Sequence, residues 1–137
     1  MRVLVDTNIL LDVLLERRPF FTASAGVLGL IERNRIAGLL GATTVTTLDY
    51  LLTQALPRPA ARQAIRTLLA LFEVAPVNRA VLEEALDSGL ADFEDAVLEQ
   101  AARLAGADAI VTRNPKDFRR AALKVLEPDE LLAVFHG

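Results

Sequence analysis

Short strand-like runs, mostly apolar but carrying Glu73 in the third and Lys124 in the fifth, recur along the chain with helical patterns between them, and this alternation constrains the fold more than any other feature. Val3, Leu4 and Val5 form the first run, GLLGA at 38–42 the second, FEVAPV at 72–77 the third, AIV at 109–111 the fourth and KVL at 124–126 the fifth. Runs that are apolar at consecutive positions suit strands covered on both faces, as in a parallel sheet. Strands alternating with helices at these spacings predict an α/β sandwich built on such a sheet.

The helical stretches have ordinary starts and stops. TNILLDVLLE (7–16) follows the first strand, Thr22 is placed to cap a helix through SAGVLGLIERN, and TTVTTLDYLLTQAL (43–56) stops at Pro57 and Pro59. A further helix runs from about Ala60 to Leu71, and Asn78 caps VLEEAL. DFEDAVLEQAARLAG (92–106) is a long helix with Gly106 as its stop, and DELLAV is the last. No repeat, low-complexity tract or linker interrupts the 137 residues, so 1–137 read as one domain.

Composition narrows the function. Hydrophobic residues make up 53% of the chain, yet no apolar run approaches the roughly eighteen residues of a membrane span and no signal peptide opens it. The sequence therefore reads as soluble and cytoplasmic, with no membrane role. Zero Cys excludes disulfides, thiolate metal sites and Cys nucleophiles. A net charge of -3, from 15 basic and 18 acidic residues, argues against holding nucleic acid by bulk electrostatics while leaving local basic patches open. All the basic residues but Lys116 and Lys124 are Arg, whose planar fork suits phosphate. The apolar surplus points to a surface covered by a partner or a second copy, or equally to a richly helical core.

A strand covered on both faces has no reason to end in a charge, yet the first run ends at Asp6. In open parallel sheets, ligands collect outside the carboxyl ends of the strands. A second strand end, AIVTRNPKDF, carries Thr112, Asn114 and Asp117, and Asp92, Glu94 and Asp95 open the long helix. If the sheet brings these regions together, Asp6, Asp95 and Asp117 form a carboxylate nest. Two unpaired carboxylates about 4 Å apart repel by roughly 4 kcal/mol at an effective dielectric of about 20, so such a nest holds protons or a cation. Oxygen-only donors favour Mg²⁺ or Mn²⁺ over zinc, and the single His, His136, is the penultimate residue and badly placed for a central site. Each acid also has a plain structural use: Asp6 and Asp92 as helix caps, Asp95 in a first turn, Asp117 at the end of an Asn-Pro turn.

VLVDTNILLDVLL, TTVTTLDYLL and DFEDAVLEQAARLAGADAIVTRNPKDF together resemble the PIN-domain proteins, notably the small prokaryotic group that includes VapC-like toxin ribonucleases. The resemblance covers nearly the whole chain. It implies a three-layer sandwich around a five-stranded parallel sheet, with acids gathered around one or two divalent ions that cleave RNA. Carried over by position, Asp6, Asp95 and Asp117 are the catalytic acids and metal ligands. Asn8 positions Asp6; Asp92 and Glu94 are auxiliary; Thr112 is the hydroxyl beside the site; Asn114 stands where other members place an Asp. A homodimer and a cognate antitoxin protein are the partners implied. One departure stands out. The family commonly has a Glu early in the helix after the second strand, where this chain has Thr47. Asp49 is no substitute, since two residues along a helix lie about 200° apart.

The chemistry implied is metal-assisted hydrolysis of RNA phosphodiester bonds, with basic side chains only orienting the strand. Arg113 is nearest the acids in sequence and is the expected substrate contact; Arg58, Arg62 and Arg66 share one helical face, for which solvation and ion pairing is the plainer reading. Tyr50 is expected in the core. The competing reading is a weakened or inactive PIN-fold binding or scaffold protein, motivated by Thr47. A phosphotransfer or phosphatase fold ranks last, because its Asp nucleophile needs a nearby Lys and the only candidates are Lys116 and Lys124.

Overall fold

In the computed structural model, which describes residues 1–119 and 121–136, five strands form one parallel sheet. In chain order the elements are β1 (Arg2–Val5), α1 (Thr7–Leu14), α2 (Phe21–Glu32), β2 (Ala37–Gly41), α3 (Ala42–Ala55), α4 (Arg58–Leu71), β3 (Glu73–Ala75), α5 (Arg79–Leu86), α6 (Phe93–Leu104), β4 (Ala109–Val111), β5 (Lys124–Leu126) and α7 (Pro128–His136). A 3₁₀ turn, Pro115–Phe118, separates β4 from β5. The strand order is β3-β2-β1-β4-β5, and every neighbouring pair is parallel.

The side-chain alternation of a strand explains the three layers. Val3 and Val5 point into a core shared with α1, α2, α3, α4 and α7, where Ile9, Leu28, Leu48, Leu68 and Leu131 are buried. Leu4 points the other way, into a smaller core with Val81 of α5, Val97 and Leu98 of α6, and Phe118 of the 3₁₀ turn. Gly41, at the end of β2, lets α6 pack close: a Cβ there would collide with Leu98. Gly106 follows α6 at φ 78°, the left-handed position that ends a helix, as the sequence predicts.

Three expectations need correction. Thr22 does not cap α2; the helix starts at Phe21, whose N–H donates to the Arg17 carbonyl at 2.8 Å, so the preceding backbone turn satisfies that end. Helix α4 starts at Arg58, because Pro59 in a first turn forfeits no intrahelical hydrogen bond. Tyr50 is 66% exposed: α3 buries Thr44, Leu48 and Leu52, and Tyr50 stands about 200° from Leu48 on the same helix. The side chain of His136 lies outside the described residues.

Candidate active site

The strand order reverses at β1, whose neighbours β2 and β4 lead the chain off in opposite directions, and this places a crevice at the carboxyl ends of β1 and β4. The Asp6 N–H donates to the Val111 carbonyl at 2.9 Å, extending the β1–β4 ladder one step past Val5 and setting Asp6 beside Thr112. Asp6 caps α1, accepting at Oδ1 from the Thr7 N–H at 2.9 Å. Its other oxygen, Oδ2, accepts from the Thr112 hydroxyl at 2.7 Å and from Asn8 Nδ2 at 3.2 Å. The Thr112 hydroxyl itself accepts from the Asn114 N–H at 3.1 Å, which leaves its hydrogen for Asp6. The carboxylate at the strand end is thus held by three donors while it caps α1.

Asp92 caps α6, taking the Asp95 N–H at 3.0 Å, and so fixes Glu94 and Asp95 in the first turn. Asp117 sits in the 3₁₀ turn after β4. Asp6, Glu94, Asp95 and Asp117 all line one hollow of about 260 Å³, together with Asn8 and Thr47. No Lys, Arg or His lines it among the described residues. Thr47 reaches across from α3: its hydroxyl donates to Glu94 Oε1 at 3.3 Å. Asp49 points elsewhere and pairs with Arg62 at 2.9 Å. Asp92 and Asn114 are near but do not line this hollow.

The electrostatics follow from convergence. Burial pushes the Asp6 carboxyl up, opposed by the bonds from Thr112 and Thr7 and reinforced by Asp117 and Glu94. Burial also lifts Asp95 from 3.8 to about 7, helped by the negative charges of Asp92, Asp6, Asp117 and Glu94. Among the described residues no three acids stand close enough to form a finished ligand set. The donors nonetheless suit a hard divalent cation in kind: four carboxylates face one cavity, and their mutual repulsion is what a cation relieves.

The side chain of Arg113, the expected substrate contact, is engaged by α1 and Phe20. Its Nε donates to Asp12 Oδ2 at 2.6 Å, and its guanidinium lies 3.9 Å from the centroid of the Phe20 ring. Asp12 is fully buried and also accepts from the Ser24 hydroxyl at 3.2 Å, so a buried charge claims the Arg113 side chain and turns it away from the acids. Only the Arg113 backbone stays near the site, its N–H reaching Asn8 Oδ1 at 3.5 Å. Arg62 is likewise engaged, which agrees with ion pairing for its face.

A second hollow of about 390 Å³, not expected from the sequence, is lined by Lys116 and Arg119 along with Asp92, Asp95 and Asp117. Its signal was available: in a 3₁₀ turn residues three apart eclipse, and Lys116 and Arg119 are three apart in PKDFR.

A parallel α/β sandwich with an acidic hollow at its switch point is the class that fold and site define together. The chain belongs to the PIN domain family, whose model matches residues 2–116. It is 26% identical over 134 residues to Ribonuclease VapC1 of Aquifex aeolicus, an alignment covering 94% of this chain and 92% of that protein. The fold is similar to that in the crystal structure of VapBC2 from Rickettsia felis bound to a DNA fragment from their promoter (TM-score 0.73, 16% identity, 93% and 98% of the two chains). It is also similar to that of a toxin-antitoxin complex from Klebsiella pneumoniae (TM-score 0.69, 23% identity, 92% and 97%). Among the described residues no helix is long and apolar enough to cross a membrane.

Proposed function

We propose that this protein is a Mg²⁺- or Mn²⁺-dependent endoribonuclease that hydrolyses RNA phosphodiester bonds, acting as the toxin of a type II toxin–antitoxin pair. The observation that carries the reading is the convergence of Asp6, Glu94, Asp95 and Asp117, from three separate segments, on one hollow that no basic side chain lines among the described residues. The likeness to a protein named as a ribonuclease, and to chains from toxin–antitoxin complexes, supports it.

Asp6, Asp95 and Asp117 would hold the ion, with Glu94 as a fourth carboxylate beside Thr47. A bound divalent ion lowers the pKa of an attacking water and neutralises charge on the phosphate. The chain does the rest by positioning. Thr7, Asn8 and Thr112 fix both oxygens of Asp6, while the Asp92 cap sets the first turn that presents Asp95. Asp95, lifted to about 7, is about half protonated at neutral pH, and a cation held beside it would favour its ionised form.

Residues 1–137 would serve as one cytoplasmic PIN-like domain. Exposed Leu86, Leu104 and Val134 supply apolar surface for a homodimer or an antitoxin. The test is incubation with labelled RNA, with and without Mn²⁺. Cleavage that needs the ion and disappears in Asp6→Asn is expected; cleavage that survives that change overturns the nuclease reading. A non-catalytic scaffold is the second reading, favoured by Thr47 in the usual Glu position, and failure of the wild type to take up Mn²⁺ would select it.

A further inference from the structure

We infer that the larger hollow beside the acidic one is a subsite for an RNA backbone phosphate, held by Lys116 and Arg119. This rests on the nuclease reading and adds to it the contact that orients the strand. The two hollows share Asp95 and Asp117 as a common wall, so a strand whose scissile phosphate lies at the acids continues into the larger space. Lys116 and Arg119 are exposed, and their backbones are joined by the hydrogen bond from the Arg119 N–H to the Lys116 carbonyl at 3.3 Å, so one turn presents both. Among the described residues neither side chain makes an ion pair or hydrogen bond. Arg113 and Arg62, by contrast, are bound to Asp12 and Asp49.

The hollow is not purely basic, since Asp92, Asp95 and Asp117 also line it. An anion facing three carboxylates is repelled until the shared wall is neutralised. Asp92 is occupied as the α6 cap, and Asp95 and Asp117 are proposed cation ligands, so the subsite becomes attractive to phosphate once a divalent ion is held. With a chain charge of -3 there is no bulk field to hold RNA, and these two side chains carry the salt-dependent part of binding.

The experiment is fluorescence anisotropy of a short labelled single-stranded RNA against salt concentration, in Ca²⁺, with the probe checked for integrity afterwards. The wild type is compared with the Lys116→Ala/Arg119→Ala double variant and with Arg62→Ala as a control. Losing one phosphate contact lowers the salt slope by about 0.7, so the double variant should lose on the order of 0.7 while Arg62→Ala keeps the wild-type slope. Calorimetry should show Mn²⁺ uptake unchanged in the double variant, which excludes damage to the acids or the fold. An unchanged slope with Mn²⁺ uptake intact overturns the subsite and leaves the nuclease reading standing. A wild type that takes up the ion but binds no RNA overturns both.

Discussion

The Thr47 hydroxyl on α3 donates to Glu94 Oε1 on the first turn of α6, 3.3 Å away, at the edge of the acidic hollow. A carboxylate from another helix thus stands beside position 47, where this chain has Thr. Glu94→Gln should weaken Mn²⁺ binding about tenfold or more, in the range seen when a partner of a metal ligand is lost. Adding Thr47→Glu to that variant should recover most of the loss, whereas Thr47→Glu alone sets two carboxylates against each other and should not tighten binding beyond the wild type. A double-mutant cycle by calorimetry measures the coupling, and strictly additive effects would show that the two positions act separately.

Removing a donor from Asp6 tests the other end of the site. Thr112 is fully buried and its hydroxyl makes the shortest bond to Asp6. Thr112→Val should cost about 1.5–3 kcal/mol in urea unfolding, the usual worth of a hydrogen bond to a charged group. It should also push the Asp6 carboxyl further up, since a bond that favours the ionised form is gone. A variant as stable as the wild type would mean that the bond is not made.

Stability of the cation-free protein should fall as pH rises. Asp95 titrates at 3.8 in its ordinary state and at about 7 in the fold. A carboxyl raised by folding contributes stability that is complete below 3.8 and lost as pH climbs through about 7, because ionisation then brings a charge into a half-buried, already negative site. Unfolding followed from acid to neutral pH should show this decline, flattened in Asp95→Asn and reversed by saturating Mn²⁺. A curve unchanged by Asp95→Asn would assign the slope to another group.

Arg113→Ala should act on stability. It leaves Asp12 buried without its cation, a loss of about 3–5 kcal/mol for a buried pair. Pairing it with Asp12→Asn should return much of that loss. If Arg113→Ala unfolds like the wild type but binds RNA less well, the side chain is a strand contact after all.

Much of the architecture was legible because its signals are local. The consecutive apolar residues of β1 and β4, the Asn78 cap that takes the Val81 N–H, and Gly106 at positive φ each act within a few residues of themselves. The three acids were legible through their places at a strand end, a helix start and a turn. The partners of Arg113 and Glu94 were not. Arg113 lies 101 residues from Asp12, and Glu94 lies 47 from Thr47, so only the packed sheet and helices bring them together. Nearness in sequence favoured Arg113 as the strand contact, whereas the structure pairs its side chain with a buried carboxylate on α1.

The most direct measurement is a calorimetric titration of Mn²⁺ into the wild type and into Asp6→Asn, Asp95→Asn and Asp117→Asn. Saturable binding by the wild type, weakened by each of the three changes, is the expected result, since one ion shared by carboxylates from the α1 cap, α6 and the 3₁₀ turn depends on all of them. Binding that survives the three substitutions unchanged, or no binding by the wild type at all, would contradict a cation site in the acidic hollow.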